Sequence, residues 1–209
     1  MKYIYAFLLI ILSGYSFAEI SAPSAMQWGQ SQSDLKRSGL SFSNCKEALN
    51  GDIEYCEAKG HDKPISFAET YYVYFIKGYG LHKVLVTGKD ISSDLYGSDG
   101  KASYSKVKNS LQKKYPESDG YEYFSYESIG NKLYNESDEF YQCLNYEGCG
   151  MWYMGIMGAN DVDLGSFSLQ LKGSSRGTGY ISLTYESPNW GEYLDAVKNK
   201  ESARDDEAF

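Results

Sequence analysis

The sequence is poor in the residues and patterns that most metal sites, nucleotide sites and membrane spans require. Only two of its 209 residues are histidine and only four are proline. Neither a G-x-G-x-x-G fingerprint nor a Walker-type phosphate loop occurs, so no nucleotide or other cofactor is expected. Beyond the first residues, no apolar run approaches the roughly 20 residues that a transmembrane helix needs. These absences favour a protein that works without a cofactor or a membrane span.

Basic residues are fewer than acidic ones. The chain has 20 Lys and Arg against 28 Asp and Glu, a net charge of −8. Binding to nucleic acid requires a basic surface that displaces counterions, so no nucleic-acid partner is expected. An acidic surface would instead favour a cationic protein partner. The alternative is that the net charge only maintains solubility.

The first 18 residues have the pattern of a secretory signal peptide. Lys2 gives a positive start, residues 3–12 are almost entirely apolar, and Ser16 and Ala18 are small residues where a signal peptidase reads them. We therefore expect cleavage after Ala18 and a periplasmic or secreted mature protein. It would keep 19 basic and 28 acidic residues, a net charge of −9. Tyr15 stands where a lipoprotein box requires cysteine, so no stable membrane anchor is expected.

All four cysteines lie in the part of the chain that is expected to be exported. They are Cys45, Cys56, Cys143 and Cys149. In an oxidising compartment four cysteines usually form two disulfides, for which three pairings are possible. Proximity in the sequence favours Cys45–Cys56 and Cys143–Cys149. Neither pair has the spacing of a catalytic C-x-x-C dithiol or of a zinc knuckle, so we expect structural disulfides and no metal site.

Hydrophobic periodicity predicts an α+β fold in which helices pack on one face of an antiparallel sheet. Residues 19–95 and 96–200 each have the pattern of a short helix, a cysteine-bearing connection and a β meander. Two similar helix-plus-meander halves are therefore expected. Ser31 and Asp34 form a capping box for the first helix, and Ser103 is expected to begin the second. Residues 201–209 are acidic and are expected to be a flexible tail.

Tyrosine is unusually frequent, with 21 residues in the chain. Half-buried strands favour tyrosine, and so do binding surfaces, because its large ring has few rotatable bonds. Alternation along the predicted strands selects one set of candidate partner-binding residues. These are Tyr72, Tyr74, Trp152, Tyr153 and Tyr180. The alternative is that strand propensity alone explains the abundance of tyrosine.

Four segments carry a resemblance to known proteins. They are the W-G-x-S sequence at residues 28–31, Lys83-Val84 in a hairpin strand, Lys-Lys-Tyr-Pro at 113–116 and Gly-Tyr-Ile-Ser-Leu-Thr-Tyr-Glu at 179–186. With these segments the chain resembles small uncharacterised exported proteins of Gram-negative bacteria. Its layout is similar to the helix-plus-meander units of outer-membrane assembly lipoproteins and of β-lactamase inhibitory proteins. The resemblance implies a function in binding other proteins and assigns no individual site residue.

Three classes of function are consistent with the sequence. The leading hypothesis is an exported soluble protein-binding module, for example an inhibitor or immunity-type factor. The first alternative is a periplasmic factor for envelope assembly or structure. The second is a hydrolase, because residues 173–177 match G-x-S-x-G around Ser175, and pairs such as Asp52 and Glu54 could serve a glycosidase. Both histidines precede Ser175, whereas the histidine of an α/β-hydrolase follows its serine, so we expect a hairpin turn there and no catalytic residue.

Overall fold

A computed structural model describes residues 20–124, 134, 136–146, 148–156 and 165–208. The expected signal peptide, residues 1–18, lies outside the described residues. Within them, no helix combines the length and the apolar character that crossing a membrane would require.

The described residues form four α-helices and eight β-strands. The helices are α1 (Gln32–Arg37), α2 (Ser98–Lys114), α3 (Phe140–Asn145) and α4 (Trp190–Ala208). The strands are β1 (Ser41–Ala48), β2 (Ile53–Lys59), β3 (Ala68–Ile76), β4 (Gly80–Gly88), β5 (Asp119–Phe124), β6 (Gly150–Ile156), β7 (Ser166–Ser175) and β8 (Thr178–Glu186).

All eight strands join in one antiparallel sheet, in the order β1-β2-β3-β4-β8-β7-β6-β5. This confirms the predicted α+β class. Each half supplies a helix and four strands, with α3 inserted between β5 and β6. The two meanders meet at their last strands, β4 and β8. Counted inward from either edge of the sheet, the four strands of that half therefore follow in chain order. The boundary expected at residue 95 lies in the connection between β4 and α2.

Alternation along the strands gives the sheet an inner and an outer face. Tyr71, Val73 and Phe75 of β3 point to the inner face and are buried in the main hydrophobic cluster. Leu35 of α1 and Tyr104 of α2 belong to the same cluster. The helices α1, α2 and α3 therefore pack on the inner face, and the alternate residues of each strand form the outer face.

Helix α2 begins at Ser98, five residues earlier than the sequence pattern indicated. The carboxylate of Asp94, which is buried, accepts hydrogen bonds from the backbone N–H of Ser98 (2.7 Å) and of Gly100 (3.0 Å). The hydroxyl of Tyr141 in α3 donates a third at 2.8 Å. The residue that caps the start of a helix normally lies directly before the first helical residue. Here the capping carboxylate lies four residues earlier and also binds α3, which no local pattern reveals.

Both expected disulfides, Cys45–Cys56 and Cys143–Cys149, are present. The first joins the edge strand β1 to β2. The second joins α3 to the residue that directly precedes β6. Each disulfide therefore fastens an element near an edge of the sheet, where fewer neighbouring strands hold it.

Two elements differ from the expectation. Strand β1 was not anticipated, because six of its eight residues are exposed and the strand has no apolar alternation. It is held through its backbone ladder with β2 and through the first disulfide. Helix α4 continues through residues 201–208, where a flexible tail was expected. The Glu and Ala residues of that segment have high helix propensity, which explains the extension.

Candidate functional site

The outer face brings together four of the five aromatic residues that the sequence singled out. Strand register places these four on it, all half-buried: Tyr72, Tyr74, Tyr153 and Tyr180. Trp152 lies on the inner face, where it packs edge-on against Phe140 of α3 at 4.9 Å between ring centroids. The structure therefore separates Trp152 from the other candidates and assigns it to the packing of α3 on the sheet.

The outer face has an exposed aromatic patch on β5 and β6. Tyr121 pairs with Tyr153, and Tyr123 pairs with Met151, so the four side chains share this face. Tyr121 is 61% exposed, Tyr123 is 41% exposed and Met151 is 42% exposed. Six large hydrophobic side chains are exposed within the described residues, and three of them lie together here. We call these four residues the β5–β6 patch.

Sequence reasoning missed Tyr121, Tyr123 and Met151 as candidate binding residues. The alternation of Tyr121 and Tyr123 with Gly120 and Glu122 is a signal for one shared strand face. Their proximity to Met151 depends on the pairing of β5 with β6, which are separated by α3. That pairing is not a local property, so only the structure reveals the patch.

Tyr153 lies along the sheet over Gly155, which has no side chain to displace it. A Cβ atom at Gly155 would come within 2.5 Å of the Tyr153 hydroxyl oxygen and within 2.4 Å of the Phe167 carbonyl oxygen. Burial raises the pKa of Tyr153, and the neighbouring Tyr121 and Glu186 raise it further. Tyr153 is therefore un-ionised at neutral pH and presents ring surface without charge.

Helix α4 packs on the opposite end of the outer face. Trp190 is buried there with Ile53 and Ile76, in a hydrophobic cluster separate from the main core. The Trp190 ring lies edge-on to Tyr74 at 6.3 Å between centroids, and Lys83 Nζ lies 5.1 Å from the Trp190 centroid. Three helices therefore cover the inner face, and the fourth adds a contact on the outer face. An aromatic side chain anchors that contact.

Charged side chains on the outer face carry both signs. Lys83 and Glu186 form an ion pair at 2.7 Å across β4 and β8, near the middle of the sheet. Strand register adds Lys46, Glu57 and Lys172 to the same face. Because exposed ion pairs contribute little free energy, binding on this face would depend on aromatic contact more than on charge.

Ser175, the serine of the G-x-S-x-G sequence, lies beside a hairpin turn. Ser175 ends β7 and is exposed, and Gly177 in the following turn has φ of +67°. The predicted hairpin turn is thus confirmed. His82 Nδ1 lies 2.6 Å from Ser187 Oγ, and both residues are buried where α4 begins. This contact attaches the start of α4 to β4.

One group of described residues is close enough to share a metal ion. It consists of Cys45, Glu54 and Cys56. The two cysteine sulfurs are joined in the first disulfide. They offer no thiolate, which is the form of cysteine that binds metal ions.

Comparisons with protein families, with curated proteins and with solved structures found no match.

Proposed function

We propose that this protein is an exported module that binds another protein through the outer face of its sheet. The observation that carries the proposal is the β5–β6 patch, where Tyr121, Tyr123 and Met151 are exposed side by side. Tyrosine and methionine are enriched in the buried centres of protein interfaces. Tyr72 and Tyr180 add further ring surface on the same face.

The size of the outer face supports this proposal. Eight strands about 4.8 Å apart give a width of about 34 Å, and six residues per strand give a length of about 20 Å. The face therefore measures about 700 Å². Helix α4 covers one end of this face. The uncovered part matches the smaller class of protein interfaces, which bury less than about 600 Å² on each partner.

The proposal places the protein in the periplasm or outside the cell. Residues 1–18 have the pattern of a cleaved signal peptide. The two disulfides would persist in an oxidising compartment. Tyr15, in place of a lipid-bearing cysteine, would leave the mature protein without a lipid anchor.

Within this class we favour an inhibitor or immunity-type role. This proposal takes up the resemblance to β-lactamase inhibitory proteins that the sequence suggested; each half of this chain has a helix and a four-stranded meander. An inhibitor profits from a rigid surface, because a preordered face loses little conformational entropy on binding.

The net charge of −8 favours a partner that carries positive charge. Long-range attraction of this kind mainly raises the association rate and depends on salt. The outer face itself carries both signs, so we expect salt to change the association rate much more than the dissociation rate.

Affinity capture from a cell-envelope extract tests the proposal. The mature chain is compared with the variants Tyr121→Ser and Tyr96→Ser. Tyr96 is 57% exposed and lies in the connection before α2, so it controls for the loss of an exposed tyrosine elsewhere. We expect Tyr121→Ser to weaken capture of the partner at least ~10-fold, equivalent to about 1.4 kcal/mol. Tyr96→Ser should leave capture unchanged.

Two results would count against the proposal in different ways. Equal capture by both variants would show that the outer face is not the binding surface. No saturable capture by the unaltered chain would remove the binding function itself. A role in envelope assembly would then be favoured if deletion of the gene weakened the envelope.

A further inference from the structure

The order of strands relates each strand of the first half to one of the second. Exchanging β4 with β8 also exchanges β3 with β7, β2 with β6 and β1 with β5. Because β4 and β8 are antiparallel, the corresponding two-fold axis is perpendicular to the sheet. Such an axis maps the outer face onto itself. Equivalent places on the outer face of the two halves can therefore be compared directly.

In the first half, α4 covers the place where β2 starts and β3 ends. Ile53 is the first residue of β2 and Ile76 is the last residue of β3, and both pack against Trp190. Tyr193 and Leu194 pack against the same cluster. Positions i, i+3 and i+4 lie on one face of a helix, so α4 contacts the sheet through a single aromatic and apolar stripe.

In the second half, the equivalent place is where β6 starts and β7 ends, and two residues of the β5–β6 patch, Met151 and Tyr153, lie there on β6. Met151 is the second residue of β6. The ladder between β6 and β7 ends at the pair Tyr153–Gln170. Beyond this pair lies a depression that reaches from the outer face to α3. Its lining is Met151, Tyr153, Gln170 and Lys172 on the outer side, together with Leu144, Asn145, Gly150, Trp152 and Leu171. Apolar rings and a groove thus occupy the place that α4 covers in the first half.

We propose that the β5–β6 patch binds an amphipathic helix of the partner protein, as the equivalent place in the first half binds α4. This inference rests on the proposed function and specifies the element of the partner that is recognised. The partner helix carries tryptophan or tyrosine at positions i and i+3 and leucine at position i+4. These three side chains pack on Tyr153 and Met151.

The charge beside the groove adds a requirement on the helix. Lys172 is the one charged side chain among the described residues that line the depression. A carboxylate on the partner helix would pair with it. In the first half, Lys200 of α4 pairs with Asp52 at 3.0 Å. Helix α4 therefore also makes an ion pair beside its apolar stripe.

A helix-stabilised peptide with the sequence of residues 187–200 is the probe, because it carries the three anchors of α4. Chemical stabilisation is needed since isolated helices of this length are marginal in water. The peptide is titrated into the full mature chain, labelled with ¹³C at the methionine and isoleucine methyl groups. We expect a saturable shift of the Met151 signal with a Kd of about 0.1–1 mM. Met26 and Met154 are buried and serve as internal controls.

Variants distinguish the patch from the rest of the outer face. We expect Tyr153→Ser to weaken peptide binding at least ~5-fold, equivalent to about 1 kcal/mol. Tyr55→Ser, on the same face but on β2, five strands away from β6, should change it less than ~2-fold. No shift at Met151 with millimolar peptide would overturn the inference. A response confined to residues around Ile76 would also overturn it, because the peptide would then only exchange with α4.

The peptide titration is independent of the affinity capture. If capture succeeds and the peptide fails to bind at Met151, the partner uses a strand or a loop, and the proposed function stands without this inference. If capture fails, the binding function is lost regardless of what the peptide does.

Discussion

The carboxylate of Asp94 joins parts of the chain that are distant in the sequence, and its replacement by asparagine tests this role. One oxygen accepts from the backbone N–H of Ser98, and the other accepts from Gly100 N–H and the Tyr141 hydroxyl. Asparagine keeps the shape and one accepting oxygen. Its NH₂ group, however, must face a donor, so Asp94→Asn removes at least one hydrogen bond to a charged acceptor.

The loss can be estimated from these contacts. A hydrogen bond to a charged group contributes about 1.5–3 kcal/mol, and a buried donor left without a partner costs more. We therefore expect Asp94→Asn to lower the free energy of unfolding by about 3 kcal/mol. In a domain of this size each kcal/mol lowers Tm by about 2–4 °C, which gives a fall of about 6–12 °C.

The same contacts predict how stability depends on pH. Burial alone would raise the pKa of Asp94, but the hydrogen bonds from Gly100, Tyr141 and Ser98 outweigh it, so the pKa in the folded protein is lowered. A lowered pKa in the folded state stabilises the protein above the unfolded value of 3.8. This contribution is lost as pH falls below that value through the folded pKa, and Asp94→Asn should remove it.

Urea unfolding at pH 7 and at acid pH provides the assay. Asp99→Asn is the control, because Asp99 is an exposed carboxylate in the first turn of the same helix. A double-mutant cycle with Tyr141→Phe should give a coupling energy of about 1 kcal/mol or more. The reasoning would be refuted if Asp94→Asn cost no more than Asp99→Asn and left the acid dependence of stability unchanged.

Further predictions concern α4, the disulfides and a close backbone approach. Burial lowers the pKa of His82, so its contribution to stability is complete above about pH 6.5 and declines as pH falls. Amide exchange in α4, taken relative to the intrinsic rate at each pH, should therefore rise at pH 5.5, and His82→Asn should abolish that rise. Replacing both cysteines of the Cys45–Cys56 pair, which are 11 residues apart, should lower the free energy of unfolding in urea by about 3 kcal/mol. Replacing both cysteines of the second disulfide, which are 6 residues apart, should lower it by about 2 kcal/mol. Equal stability of the reduced and oxidised proteins would contradict this. A Cβ at Gly173 would lie 1.8 Å from a backbone oxygen of α3, so Gly173→Ala should lower Tm strongly, whereas Gly191→Ala, in open space, should be neutral or stabilising.

Local patterns were sufficient to predict the class of the fold. The capping box of Ser31 and Asp34 is present at the start of α1, as predicted. Tyr71, Val73 and Phe75 share one face of β3 and Tyr72 and Tyr74 the other, as alternation along a strand requires. These features depend on residues close together in the sequence. The order of the strands could not be predicted, because the pairing of β4 with β8 joins residues about a hundred positions apart.

The binding face was predictable only in part, for a geometric reason. Neighbouring residues of a strand point to opposite faces, so Trp152 and Tyr153 could not both belong to one surface. Aromatic character alone selected both. The structure assigns Tyr153 to the outer face and Trp152 to the contact with α3. Assembly of Tyr121 and Met151 into one patch needed the pairing of β5 with β6.

The central claim is that the outer face binds the partner, and hydroxyl-radical footprinting of the complex tests it most directly. Tyr121, Tyr123 and Met151 are exposed on that face, while Leu95 and Tyr96 are exposed in the connection between β4 and α2. We predict that the partner lowers the oxidation rate of the first three residues at least ~5-fold, as burial in an interface excludes solvent, and leaves the other two unchanged. Protection of Leu95 and Tyr96, with the β5–β6 patch still oxidised at its free rate, would contradict the account.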